Sequence, residues 1–89
     1  MSWRIEPLPP PLFPLLDKFY REQRSHMRVA RARRAWAVRG EQGLVGGVCL
    51  TPVATGHWLT SLLIAPAARG RGVASDLLCR VRADTSGAI

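Results

Sequence analysis

Leu62-Leu63-Ile64-Ala65-Pro66-Ala67-Ala68-Arg69-Gly70-Arg71-Gly72-Val73-Ala74-Ser75-Asp76-Leu77-Leu78 is the stretch on which the reading of this chain turns. An apolar strand ends at a proline stop, a glycine-spaced turn follows, and a helix begins with Leu77, Leu78 and Val81 on one face. A turn of this kind sets several backbone N–H groups at the positive end of a helix, which makes it a seat for a phosphate. The remainder of the chain is then the scaffold that holds the seat, or part of it.

Outward from this stretch, composition sets the limits. The chain has 89 residues, 47% hydrophobic and 21% charged, which fits a single small globular domain spanning 1–89. A domain of this size buries roughly 60–65% of its unfolded surface, enough for a modest core. No apolar run reaches the roughly 18 residues of a membrane span. The start, Met1-Ser2-Trp3-Arg4-Ile5, lacks the basic, apolar and small-residue pattern of a secretory leader, so a cytoplasmic location is expected. Cys49 and Cys79 sit within apolar segments and read as two buried free thiols, with no metal site implied. The net charge is +7, and all thirteen basic residues except Lys18 are arginine. Such a balance suits a polyanion partner. With so much alanine and glycine alongside, it suits coding bias equally well.

Taken in order, Trp3-Arg4-Ile5-Glu6 alternates as a short edge strand, and Pro7, Pro9, Pro10 and Pro11 read as a rigid connector without regular structure. Leu12, Leu15, Leu16 and Phe19 recur at helical spacing and predict an amphipathic helix to about Ser25. Pro14 lies in its first turn and Asp17 faces Arg21 one turn on. His26 to Arg34 reads as a short second helix or a turn. Its Arg28, Arg31, Arg33 and Arg34 offer a nucleic-acid contact as the minor alternative to a solvated basic face, since no aromatic residues stack between them.

Three antiparallel strands follow. They cover 35–39, 44–51 with Pro52 as the stop, and 57–64, joined by turns at 40–43 and 54–56. Gly46-Gly47 signals a bulge or a close backbone neighbour. In the third strand Trp58, Thr60, Leu62 and Ile64 are expected on one face, and Leu59, Ser61 and Leu63 on the other. A helix from about Gly72 to Ala83 comes next. Gly87 is placed as its cap, and Ile89 is read as the approach to a further strand.

The order of elements, with Arg69-Gly70-Arg71-Gly72-Val73-Ala74 following Pro66, resembles the Gcn5-related N-acetyltransferase (GNAT) family and its Arg/Gln-x-x-Gly-x-Gly/Ala signature. The resemblance implies an α/β (α+β) fold of the acyl-CoA N-acyltransferase type. Its mostly antiparallel mixed sheet would carry flanking helices, and the chain would be truncated after the helix that follows the pyrophosphate loop. Acetyl-CoA is the implied co-substrate, without a metal, and an amine is the implied acceptor. Arg69, Gly70, Arg71, Gly72, Val73 and Ala74 would hold the pyrophosphate, and the backbone of Leu62, Leu63 and Ile64 would hold the pantetheine arm. The family's usual base, a glutamate on the strand before the turn, has no counterpart among His57, Thr60 and Ser61. Tyr20, the single tyrosine, lies on the first helix and does not take the family's acid role, so no catalytic residue is assigned. An uncovered strand at 62–64 further implies a homodimer. The alternatives are a non-catalytic CoA-binding or dimerising remnant, and a small basic nucleic-acid module.

Overall fold

The structure, a computed structural model, describes residues 3–29, 32, 34–53 and 56–85. Four strands form one antiparallel sheet in the order β1-β2-β3-β4: β1 Arg4–Leu8, β2 Arg34–Gly40, β3 Gly43–Val53 and β4 Gly56–Ile64. Helix α1, Phe13–Glu22, covers one face, and helix α2, Val73–Thr85, covers the other.

The two faces are built from different residue sizes. On the α2 face Trp36, Val38, Val48, Leu50 and Ile64 meet Val73, Leu77 and Val81. On the α1 face the sheet offers Ala35, Ala37 and Cys49, against which Leu16, Phe19 and Tyr20 settle. The alternation along β2 puts its alanines under α1 and Trp36 and Val38 under α2. Gly46 and Gly47 bear out the close-neighbour reading. A Cβ on Gly47 would lie 2.3 Å from Leu16 Cδ1, and one on Gly46 would lie 2.7 Å from Ile64 Cδ1. The register also slips between Val38 and Arg39, immediately after Ala37 and Val38, the partners of the glycine pair.

Several expectations are corrected by the packing. The proline-rich segment is not without regular structure, because β1 runs through Pro7 to Leu8 and Pro10–Leu12 forms a 3-10 turn. Among the described residues β1 pairs only with β2, and an edge strand tolerates a residue that cannot donate. Pro52 likewise sits inside β3, opposite His57, and does not stop it.

Helix α1 begins one residue later and ends three residues earlier than its periodicity suggested, and it turns a different face inward. Leu16, Phe19 and Tyr20 are buried, whereas Leu12 and Leu15 are exposed. Its end is a Schellman arrangement: Ser25 N–H bonds the Tyr20 carbonyl and Arg24 N–H the Arg21 carbonyl, with Arg24 at φ 58°. Asp17 does not serve Arg21; its Oδ1 accepts the Val29 N–H at 2.8 Å. Residues 25–29 and 32 form no helix, while Ala30, Arg31 and Arg33 lie outside the described residues. So do Ala54, Thr55, Gly87 and Ile89, on which the turn, the cap and the further strand were placed.

In α2, Val73, Leu77 and Val81 are buried and Leu78 is only partly so. The helix starts at Val73 rather than Gly72, because Gly72 is left-handed. Its C-terminal end is tied to the sheet through Asp84, which accepts from Trp36 Nε1 at 2.8 Å and pairs with Arg80. The Trp36 hydrogen bond, followed by Arg80, holds this carboxyl below its ordinary range. Cys49 is buried as expected; Cys79 is exposed on the outer side of α2.

Candidate functional site

The site is built where β4 ends and α2 begins. β4 is not a regular strand. Gly47 pairs with Leu63 but Cys49 pairs with Thr60, so Val48 faces two residues of β4, Ser61 and Leu62. This is a β-bulge, and Ser61 carries it at φ 57°, a left-handed conformation rare for a residue with a side chain. One extra residue shifts the alternation. Thr60 stands opposite Cys49 on the α1 face, and Leu59 packs toward the α2 face. Beyond the bulge Leu63 joins the α1 face and Ile64 the α2 face. The single-face set Trp58, Thr60, Leu62 and Ile64 is therefore split in two, since each inserted residue inverts the pleat that follows it.

The bulge is held from the α1 side. Tyr20 is fully buried, and its hydroxyl donates to the Ser61 carbonyl at 2.6 Å. The Cys49 Sγ lies 3.7 Å from the same hydroxyl. Ser61 Oγ donates to the Arg28 carbonyl at 3.1 Å. Burial raises the Tyr20 phenol far above its ordinary value and, acting first, pushes the Cys49 thiol up to about 11. The sequence alone points to no role for Tyr20 or Ser61. The one available signal was a serine interrupting the apolar run before Pro66.

After the bulge, Ala65 N–H bonds the Val45 carbonyl at 2.7 Å. Backbone direction alternates along a strand, so Ile64 turns its N–H and carbonyl toward the opposite edge, which has no strand partner among the described residues. Arg69 Nε reaches the Ile64 carbonyl there at 2.9 Å. This guanidinium thus braces the strand end as well as standing at the mouth of the turn. A 3-10 turn, Pro66–Ala68, leads to Gly70 at φ 77° and Gly72 at φ 82°. These two left-handed residues need glycine, and a Cβ built on either meets nothing within 4 Å. Any side chain there would stand in the open space before the turn.

The first intrahelical bond of α2 runs from Asp76 N–H to the Gly72 carbonyl at 3.0 Å. The preceding N–H groups, of Val73, Ala74 and Ser75, are the donors that a helix cannot use internally. A pocket of about 140 Å³ opens on them, bringing together Ile64, Arg69, Gly70, Gly72, Val73 and Ala74 with Ala68 and Ser75. Leu62, Leu63 and Arg71 lie outside it. Leu62 and Leu63 continue the strand edge, and Arg71 lines a larger neighbouring cavity of about 480 Å³ that includes Trp3 and Val45. Between the two, the smaller pocket is the one with backbone donors and a helix dipole, which is what an anion requires. Trp3 Nε1 donates to Asp76 Oδ2 at 3.2 Å and ties the first turn of α2 to the start of β1.

The basic segment is partly absorbed by the fold. Arg34 stacks on Trp36 at 4.8 Å and donates to the Asp84 carbonyl, while Arg28 Nη1 bonds the Met27 carbonyl. His57 pairs with Pro52 in β4, and its side chain lies outside the described residues.

An antiparallel sheet between two helices, with a bulged strand running into a glycine turn at a helix start, defines an acyl-CoA N-acyltransferase-like fold. A comparison with family profiles matches the Acetyltransferase (GNAT) family over residues 1–83, and the chain belongs to that family. Among solved structures, a GNAT family protein of Streptococcus pneumoniae aligns with TM-score 0.78 at 12% identity, over 98% of this chain and 70% of its own. YhbS of Escherichia coli, solved with CoA, aligns with TM-score 0.73 at 17% identity, over 94% of this chain and 56% of its own. YhhK of Escherichia coli, solved bound to coenzyme A, aligns with TM-score 0.65 at 27% identity, over 99% of this chain and 72% of its own. The chain thus spans between about half and three-quarters of the length of these structures. A comparison with curated proteins found no match.

Proposed function

We propose that this chain is the acetyl-CoA-binding portion of an N-acetyltransferase that moves an acetyl group from acetyl-CoA to an amine. The observation that carries the reading is the pair of left-handed glycines, Gly70 and Gly72, which deliver the unused N–H groups of α2 to a pocket at the end of an open-edged strand. The pyrophosphate takes the backbone of 69–74, with the Arg69 and Arg71 guanidiniums beside it. The pantetheine amides take the outward-facing backbone groups of the strand end 62–64, the Ile64 N–H among them, while Leu63 keeps its pairing with Gly47. CoA or acetyl-CoA in the solved structures of family relatives supports the choice of co-substrate.

The amine nitrogen attacks the thioester carbonyl, the carbon–sulfur bond breaks, and the thiolate of CoA leaves as the amine loses a proton. A backbone N–H at the bulged edge polarises the carbonyl in this scheme. Tyr20 is not the acid, since its hydroxyl is buried and committed to the Ser61 carbonyl. The location proposed is cytoplasmic; among the described residues no helix is long and apolar enough to cross a membrane. The chain forms a homodimer in this reading, paired at the exposed Trp58 end of the β4 edge so that 62–64 stays open to the pantetheine arm.

Calorimetric titration with acetyl-CoA tests it. Saturable binding is expected, and Gly72→Glu abolishes it by placing a strained, negatively charged side chain before the turn. Absence of binding at millimolar acetyl-CoA overturns the reading. Binding without transfer to any amine favours the remnant reading, for which the chain's partial span of its structural relatives is the specific support.

A further inference from the structure

We propose that Tyr20 is a positioning residue: its buried hydroxyl, through the Ser61 carbonyl, holds the left-handed bulge that sets which backbone groups of 62–64 face out of the sheet edge. The inference rests on reading that edge as the acetyl-CoA seat. Its geometry, however, stands on the strand alone.

A residue with a Cβ does not rest at φ 57° without support, and regular pairing of β4 with β3 is the competing arrangement. Two contacts outside β3 reach the bulge and favour it. Tyr20 donates to the carbonyl of the strained residue itself, at 2.6 Å. Ser61 Oγ donates to the Arg28 carbonyl, in the segment that follows α1. That segment is in turn fixed to α1, because Asp17 accepts the Val29 N–H, and it is closed locally by Ser25 Oγ accepting the Met27 N–H at 3.1 Å. Helix α1 therefore reaches the bulge twice, once directly and once through the loop. Without the bulge the pleat beyond it inverts, and Ile64 and Leu63 exchange faces. The outward groups of 62–64 would then be different ones. Tyr20 touches no substrate in this scheme. It acts through Ser61.

The test is Tyr20→Phe in the whole chain, followed by amide exchange and by the intraresidue amide–Hα contacts and couplings that report a positive φ at residue 61. Exchange of the sheet-paired amides of Leu63 and Ala65 is expected to rise about tenfold, with the α2 core amides at Leu77 and Val81 unchanged. The positive-φ signature at Ser61 is expected to weaken. Acetyl-CoA affinity should fall about tenfold, the size of one lost hydrogen bond of about 1.4 kcal/mol. Adding Ser61→Gly to Tyr20→Phe should restore the signature, because glycine takes the left-handed conformation without a tether. A role in core packing alone predicts no such rescue.

Unchanged exchange and an unchanged signature at Ser61, or a uniform loss of protection across sheet and helices, overturns the proposal. Should Tyr20→Phe fail to fold, Ser61→Val asks the same question from the partner's side. Faster exchange confined to Leu63 and Ala65 supports the pin, and unaltered exchange there overturns it. If the wild-type chain binds no acetyl-CoA, the functional reading fails while the exchange arm still decides the pin.

Discussion

Arg24 ends α1 in a conformation that suits glycine. With φ at 58° it occupies the left-handed position of the Schellman motif, and its side chain makes that costly. Arg24→Gly is expected to raise stability by about 0.5–1 kcal/mol, after the extra backbone entropy of glycine is set against the relief of strain. Urea unfolding checks this. Cys49 and Cys79 part company for reasons of burial. The Cys49 thiol is pushed up to about 11 by its apolar surroundings, and Cys79 stands exposed. A thiol reagent at mild pH should modify Cys79 alone, with Cys49 joining only on unfolding. The linkage follows from the direction of the shift. A thiol whose folded value exceeds its ordinary one of 9.0 keeps its proton in the native state after the unfolded chain has lost it. Stability is therefore full below about pH 9 and falls as pH rises toward 11, with the raised Tyr20 phenol acting in the same sense. A series of unfolding curves across this range measures it, and flat stability to pH 11 would contradict it.

Elements meet here through the absence of side chains as much as through their presence. α1 lies close to the sheet because Gly47 leaves room for Leu16, whose Cδ1 would stand 2.3 Å from a Cβ there. Gly47→Ala is expected to cost about 1–3 kcal/mol by overpacking, read from the denaturant midpoint, with α1 displaced rather than the sheet. Much of this level was legible beforehand. Turn glycines and apolar runs predict β2, β3, β4 and α2 within a residue or two, and Gly46-Gly47 announces the close approach. What could not be read is the inward face of α1. Leu12, Leu15, Leu16 and Phe19 satisfy the helical period as well as Leu16, Phe19 and Tyr20 do. Periodicity gives a stripe, and only the shape of the sheet selects which edge of the stripe it accepts.

For the molecule as a whole, the sheet order leaves β4 at an edge among the described residues, with Trp58 65% exposed and Leu62 38% exposed beside it. An open, apolar edge is a pairing template. Sedimentation of the chain should show concentration-dependent association above the 9.8 kDa monomer, reduced by Trp58→Lys. A monomer at every concentration would exclude the dimer proposed above. The stretch 62–74 illustrates how the information divides. Local chemistry alone determined the strand, the proline stop, the two glycines that must be left-handed, and the helix that follows, because each depends on backbone preferences of neighbouring residues. The match to the GNAT family spans residues 1–83 and includes this stretch. Tertiary structure alone decided that Ser61 is left-handed, that Leu63 and Ile64 change faces, and that Arg69 turns back to Ile64. The first two go with the bulge, which is contacted by Tyr20 and Arg28, more than thirty residues away in sequence. Contacts at that separation form only when α1 packs on the sheet, and no pattern within the strand itself encodes them.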